Sequence, residues 1–179
     1  MLQSTSSSQL QPRLTLVLGG ARSGKSRCAE ELIGRMPSPW AYIATAEALD
    51  EEMRARIAHH RARRDGKWRT IEAPLDLADT ISALDDGGHP ILVDCLTLWI
   101  SNCLLADRDL DKDSERLMAV LERAPGPIVL VSNEVGLGIV PDTPLGRRFR
   151  DAQGRLNQQV ASAANRVIMM VAGIPLIVK

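Results

Sequence analysis

Short apolar runs alternate with amphipathic stretches along most of the chain. The apolar runs, typical of buried parallel strands, occupy Leu14–Leu18, Trp40–Ala44, Pro90–Asp94 and Pro127–Ser132. Stretches that suit helices lie between or after them, at residues 26–35, 75–84, 96–105, 114–123 and 143–164. Strands that alternate with crossover helices pair in parallel. The pattern therefore predicts a three-layer α/β fold with a central, mainly parallel sheet.

Three further segments complete this prediction. Trp68–Ala73 has an extended pattern, and Asn165–Ala172 and Ile174–Val178 predict a C-terminal pair of strands. Residues 106–113 alternate acidic and basic side chains, and we expect them to be a charged, mobile connection.

The 179 residues suit one domain with a substantial core. Residues 1–13 are rich in Ser and Gln and are interpreted as a mobile tail, neither a signal peptide nor an anchor. We expect residues 14–179 to form a single domain. No apolar run approaches the roughly 20 residues that a membrane span needs.

Charge and cysteine content exclude several classes of partner. The 22 basic and 22 acidic residues balance and aromatic residues make up 3%, so we expect no nucleic-acid partner. Cys28, Cys95 and Cys103 form no CxxC pair, which favours free thiols in a reducing compartment over a zinc site. The expected location is the cytoplasm.

The first strand ends in a glycine-rich loop. Gly19, four residues and then Gly24-Lys25-Ser26 match the phosphate-binding loop pattern, with a strand before and a helix after. Glycines allow positive φ angles and a close approach to phosphate, while the loop amides and the helix N-terminus face the anion. Lys25 would reach the β- and γ-phosphates, and the Ser26 hydroxyl would bind Mg²⁺. The predicted nucleotide-binding residues here are Gly19, Gly20, Ala21, Arg22, Ser23, Gly24, Lys25 and Ser26.

Polar residues at the ends of later strands extend this site. Asp94 ends an apolar strand, as does the aspartate of P-loop enzymes that holds the Mg²⁺ shell; the alternative is a helix N-cap. Thr45, Ala46 and Glu47 follow the second strand at its carboxyl end, where ligands bind in open parallel sheets, or they form a helix-entry loop. Residues 133–141 belong to the same edge by the same rule, the alternative being an ordinary surface loop.

The stretch 50–64 predicts a helix with acidic residues in its first turn and arginines in its last. His60 lies on its apolar face, whereas His59 lies between Arg56 and Arg63. Neighbouring cations favour a neutral imidazole, and arginines hold phosphate oxygens, so His59 is a candidate nucleophile for phosphoryl or nucleotidyl transfer. The alternative is a solvated basic face.

Taken together, these motifs resemble the bifunctional adenosylcobinamide kinase/adenosylcobinamide-phosphate guanylyltransferase family of cobalamin biosynthesis. The resemblance rests on residues 19–26, 42–45, 50–60, 93–99 and 133–141 and extends over nearly the whole chain from Leu14. It implies a P-loop fold, a homotrimer and two reactions. A nucleoside triphosphate, ATP or GTP, phosphorylates adenosylcobinamide, and GMP from GTP is then transferred to adenosylcobinamide phosphate.

The resemblance also implies roles for individual residues. The family forms a covalent GMP–histidine intermediate, and that histidine aligns with His59. Segments that bind nucleotide in the family match Thr45, Ala46, Glu47, His60, Arg61, Ala62, Arg63, Glu72 and Asp94. The guanine preference comes from the resemblance alone, because the Asn-Lys-x-Asp element of GTPases is absent.

Two other functions fit the phosphate-binding loop. A small-molecule kinase would use the same loop without a covalent step, so α-labelled GTP would leave the protein unlabelled. A non-catalytic nucleotide-binding module would bind nucleotide without turnover that depends on a corrinoid.

Overall fold

The computed structural model describes residues 12–47, 51, 54, 66–84 and 87–179. Within these ranges the strands are β1 (Leu14–Gly19), β2 (Trp40–Ala44), β3 (Trp68–Glu72), β4 (Ile91–Asp94), β5 (Ile128–Val131), β6 (Arg166–Val171) and β7 (Ile174–Ile177). They form one sheet in the order β3-β2-β4-β5-β1-β6-β7, in which only the β6–β7 pair is antiparallel. The predicted mainly parallel sheet is confirmed.

Helices cover both faces of the sheet. The described helices are α1 (Lys25–Gly34), α2 (Leu77–Leu84), α3 (Leu96–Leu105), α4 (Leu110–Arg123) and α5 (Pro144–Ala163). Alternation along β1 places Leu16 in one apolar layer and Val17 in the other. The first layer includes Ile81, Trp99, Leu117 and Leu156 from α2 to α5. The second includes Ala29 and Ile33 from α1, which gives the three-layer arrangement.

The expectation of a mobile connection at residues 106–113 is wrong for residues 110–113. Helix α4 already begins at Leu110, because the Asp109 carboxylate accepts a hydrogen bond from the Lys112 backbone N–H and caps the helix. Arg108 then donates two hydrogen bonds, of 2.7 and 2.9 Å, to the Asp113 carboxylate. The pairs Arg108–Asp113 and Lys112–Asp109 therefore join the residues before the helix to its first turn.

The predicted helix at 50–64 lies almost wholly outside the described residues. Its two described members, Glu51 and Arg54, are helical and form a salt bridge of 2.9 Å. Most of the predicted N-terminal tail, residues 1–11, also lies outside them.

Among the helices that the structure describes, none combines the length and the apolar character that crossing a lipid bilayer requires.

Candidate nucleotide-phosphate site

The candidate site lies at the carboxyl edge of the sheet. The phosphate-binding loop follows β1, Asp94 is the last residue of β4, and β5 lies between these two strands. Asp94 is level with Val131 of β5, and Val131 is level with Val17 of β1. The parallel register therefore brings the phosphate-binding loop, the segment after β5 and Asp94 to the same edge, where ligands bind in such sheets.

Two glycines give the phosphate-binding loop its shape. Gly19 has a φ of 151° and Gly24 a φ of 95°, and both angles disfavour other residues. A Cβ atom at Gly19 would lie 2.6 Å from both the Met170 carbonyl oxygen and the Ser23 Oγ. The backbone of the loop is thus packed closely on β6, and a side chain at Gly19 would push it apart.

Lys25 is buried although it carries a charge. Its Nζ atom donates a hydrogen bond of 2.6 Å to the Gly20 carbonyl oxygen on the opposite side of the loop. Ser26 follows in the first turn of α1 and is half-buried. The ammonium group of Lys25 therefore lies within the loop that precedes α1, and both this charge and the amino end of the helix favour an anion there.

The Ser23 hydroxyl is also available to hydrogen-bond a ligand. Its Oγ atom is buried and has no hydrogen-bond partner among the described residues. A buried hydroxyl without a partner costs about 1–3 kcal/mol. An unsatisfied donor inside a loop of exposed amides is the property expected of a loop that completes its hydrogen bonds with a phosphate.

Asp94 and Ser26 offer the oxygen atoms that Mg²⁺ prefers. The Tyr42 hydroxyl donates a hydrogen bond of 2.9 Å to Asp94 Oδ2 and orients the carboxylate. No group of three or more His, Cys, Asp or Glu side chains suited to a metal occurs among the described residues. Mg²⁺ is usually held by one or two protein oxygens together with phosphates and water. The donor set fits Mg²⁺ bound with a nucleotide.

Thr45 connects the ends of β2 and β4. Its hydroxyl donates to the Cys95 carbonyl oxygen at 2.7 Å and accepts from the Cys95 backbone N–H at 2.8 Å. Asn102 donates from Nδ2 to the Thr45 carbonyl oxygen at 2.8 Å. The hydroxyl of Thr45 therefore holds the backbone that directly follows Asp94.

Other predicted residues lie farther along the same edge. Ala46 and Glu47 follow Thr45, and Glu72 ends β3 at the level of Ala44. Strands β4 and β5 separate this group from the phosphate-binding loop.

The predicted residues of the histidine helix, namely His59, His60, Arg61, Ala62 and Arg63, lie outside the described residues.

Sequence reasoning missed a polar cluster behind the segment that follows β5. The Asn133 backbone N–H donates to Thr97 Oγ1 at 2.8 Å, and its carbonyl oxygen accepts from Asn157 Nδ2 at 3.0 Å. Gln153 donates from Nε2 to Ser132 Oγ and to Asn157 Oδ1, both at 2.9 Å. Gln153 and Asn157 are buried at i and i+4 on α5 beside Leu156, so two amides on an apolar helix face were the available signal.

Burial also keeps a nearby thiol neutral. Desolvation, and then the charge of Asp94, raise the pKa of Cys95 to about 11. A thiolate is therefore disfavoured next to the site.

Comparison with known proteins shows the family to which this chain is similar. A family model described as cobinamide kinase / cobinamide phosphate guanyltransferase matches residues 15–178. The chain is 52% identical over 166 residues to the bifunctional adenosylcobalamin biosynthesis protein CobP of Pseudomonas aeruginosa, covering 92% of this chain and 96% of the relative. It is 45% identical over 181 residues to the bifunctional adenosylcobalamin biosynthesis protein CobU of Escherichia coli, covering 93% and 99%. The protein of the same description from Salmonella typhimurium is 44% identical, with the same coverage.

The fold is also similar to that of a solved ATPase. A prototypical ATPase from the type III secretion system of pathogenic bacteria matches with a TM-score of 0.58 and 14% identity. The match covers 89% of this chain and 51% of the ATPase, so the chain spans about half its length. At this identity the likeness supports the P-loop fold alone.

Proposed function

Since this chain belongs to the cobinamide kinase / cobinamide phosphate guanyltransferase family, we propose that its carboxyl-edge site carries out both reactions in the order that the family description implies. The chain is accordingly a bifunctional transferase of cobalamin biosynthesis. The observation that carries the proposal is the phosphate-binding loop, closed around buried Lys25 and one strand away from β4.

In the kinase step the acceptor is adenosylcobinamide and the donor is ATP or GTP. The acceptor hydroxyl oxygen bonds to the γ-phosphorus, the bond to the β–γ bridging oxygen breaks, the nucleoside diphosphate leaves, and the hydroxyl proton passes to water. Lys25 and the loop amides from Gly19 to Ser26 hold the phosphates and offset their charge. Ser26 and Asp94 would hold Mg²⁺, which neutralises charge on the phosphate oxygens when bound.

In the guanylyl step His59 is the nucleophile. A neutral ring nitrogen of His59 bonds to the α-phosphorus of GTP, the bond to the α–β bridging oxygen breaks, and pyrophosphate leaves. An oxygen of adenosylcobinamide phosphate then bonds to the same phosphorus, the N–P bond breaks, and the imidazole is restored. The product is adenosylcobinamide-GDP.

The remaining assignments concern nucleotide binding. We assign His60, Arg61, Ala62 and Arg63, which neighbour His59, to nucleotide binding. We assign the same role to Ala46, Glu47 and Glu72, which lie at the carboxyl ends of β2 and β3. Thr45 contributes through the backbone after Asp94, because its hydroxyl is bonded to Cys95.

We further propose that residues 14–179 form one catalytic domain, that the protein acts in the cytoplasm, and that three copies assemble. Support for assembly comes from β7, an edge strand whose Ile174, Leu176 and Ile177 are all exposed. An apolar edge strand is a common site of pairing with another chain.

Intact mass measurement after incubation with GTP and Mg²⁺ tests the proposal. The expected result is a protein species heavier by one guanylyl group, which adenosylcobinamide phosphate removes. His59→Ala should abolish the added mass. His89→Ala is the control and should keep it, because His89, the third histidine of the chain, precedes the amino end of β4, away from the carboxyl ends of the strands. An unlabelled wild-type protein that still phosphorylates adenosylcobinamide would support the monofunctional kinase instead. A protein that binds GTP and does neither would be a nucleotide-binding module.

A further inference from the structure

The segment between β5 and α5 exposes apolar side chains to water. Leu137 is 85% exposed, Ile139 97% and Val140 59%. Scattered exposed aliphatic residues are common, but a group of this exposure within four residues is typical of a contact surface. We call these three side chains the apolar tip.

Hydrogen bonds to its backbone hold this segment at both ends. At its start the Asn133 backbone is bonded to Thr97 and Asn157, and the Glu134 carboxylate accepts from the Gly136 N–H at 2.6 Å. At its end Arg147 donates to the carbonyl oxygens of residues 141 and 142 at 3.0 and 2.8 Å. The apolar tip is therefore presented on a segment anchored on each side, and does not fold back onto the core.

The position of the segment relates the apolar tip to the phosphate site. The Glu134 backbone N–H donates to the Gly19 carbonyl oxygen at 3.1 Å, so the segment starts in direct contact with the phosphate-binding loop. It leaves the sheet between that loop and Asp94, because β5 lies between β1 and β4. A segment that starts beside a polar phosphate site and carries exposed apolar side chains suits a substrate with one large apolar part and one group that reacts with phosphate.

We propose that Leu137, Ile139 and Val140 form the surface on which the corrin ring of the acceptor lies while its hydroxyl or phosphate group reaches the phosphate-binding loop. The proposal rests on the function proposed above and adds the acceptor site to it. A corrin ring presents a broad face edged with methyl groups, which aliphatic side chains can cover. Gly136 and Gly138 flank Leu137, and a Cβ at Gly138 would meet no atom within 4 Å, so a flat ring can approach the backbone there.

The variant Leu137→Ser combined with Ile139→Ser tests the proposal. Equilibrium dialysis with adenosylcobinamide, measured by its absorbance, should give a dissociation constant raised about tenfold or more, since two apolar side chains no longer leave water on binding. The dissociation constant for GTP should stay within about twofold of the wild-type value. Leu105→Ser is the matched control, because Leu105 is an exposed leucine at the far end of α3, about 15 Å of helix from the edge.

Each outcome separates this proposal from the proposed function. If wild-type protein does not bind adenosylcobinamide, the proposed function fails. If wild-type protein binds it and the double variant binds it equally well, the apolar tip is not the acceptor surface. If the double variant loses affinity only together with assembly, as measured by light scattering, the apolar tip is instead an interface between copies, and the proposal is overturned.

Discussion

At the scale of single residues, Thr45 shows how a small side chain supports the site. One hydroxyl satisfies both backbone groups of Cys95, immediately after the predicted Mg²⁺ ligand Asp94. The sequence places Thr45 at a strand end and suggests ligand contact there. Its two bonds to Cys95 arise from the pairing of β2 with β4, which joins residues 50 positions apart and which local pattern does not reveal.

Thr45→Val should therefore weaken both stability and catalysis. Valine keeps the size and branching of threonine but removes the hydrogen-bond acceptor of the buried Cys95 N–H, which costs about 1–3 kcal/mol of unfolding free energy. The Cys95 carbonyl oxygen keeps its bond from the Trp99 N–H at 3.2 Å. Urea unfolding measures this loss, and the kinase assay should give a lower kcat. Thr80→Val is the control, because the Thr80 hydroxyl donates to the Asp76 carbonyl oxygen on an exposed part of α2. Equal losses in the two variants would contradict the role given to Thr45.

The Cys95 thiol makes the free energy of unfolding depend on pH in the alkaline range. Its pKa is raised from 9.0 to about 11, chiefly by burial, so the folded state keeps the thiol proton that the unfolded state releases. The stabilisation is present below about pH 9 and is lost as pH rises towards 11. Unfolding free energy should thus fall more steeply between these values in wild-type protein than in Cys95→Ala. Parallel pH profiles for the two proteins would show that the Cys95 proton is not involved.

At the scale of elements, hydrophobic periodicity is sufficient to predict most strands of the sheet. The predicted limits of β2 and α3 are those observed. Strand β2 is apolar between Pro39 and Thr45, and α3 is largely apolar and ends just before the charged run that starts at Asp107. Helix α4 begins four residues earlier than predicted, since Asp109 caps it and Arg108 pairs with Asp113. The ion pair spans the start of the helix, and a string of alternating charges does not indicate which of them pair.

The start of α4 provides a prediction about ion pairs. Arg108→Leu should lower the unfolding free energy by about 1–3 kcal/mol, because the mostly buried Asp113 carboxylate loses two charge-assisted hydrogen bonds. The same substitution at Arg116, whose salt bridge to Asp79 is largely exposed, should cost less than about 1 kcal/mol. Thermal or urea unfolding of both variants measures the difference. A larger loss for Arg116→Leu would refute this assignment.

The candidate site shows the same division between what sequence can and cannot predict. The phosphate-binding loop is contiguous, so its pattern and its flanking elements identify it without a structure. The polar cluster behind Asn133 combines residues from α3, the segment after β5 and α5, and only the packed fold brings Thr97 and Asn157 to the two sides of one residue. Two buried amides on α5 predict that some polar cluster exists, but not what it holds.

At the scale of the whole molecule, the two edges of the sheet differ. Strand β3 at one edge carries three polar residues among its five, Arg69, Thr70 and Glu72, which discourage pairing. Strand β7 at the other edge is exposed on both faces, since Leu176 and Ile177 point to opposite sides and neither is covered. This contrast supports assembly through the β7 edge rather than through β3.

Leu176→Lys combined with Ile177→Lys should therefore separate the copies. Charges on both faces of β7 would have to be desolvated in the interface, whereas in a single copy they remain in water. Light scattering coupled to size exclusion should show the wild-type protein at three times the mass of one chain and the variant at the mass of one chain. Leu105→Lys places one such charge on an exposed leucine away from this edge and should leave the assembly intact. A variant that still assembles would mean that the copies meet elsewhere, and a wild-type protein of single-chain mass would rule out the assembly itself.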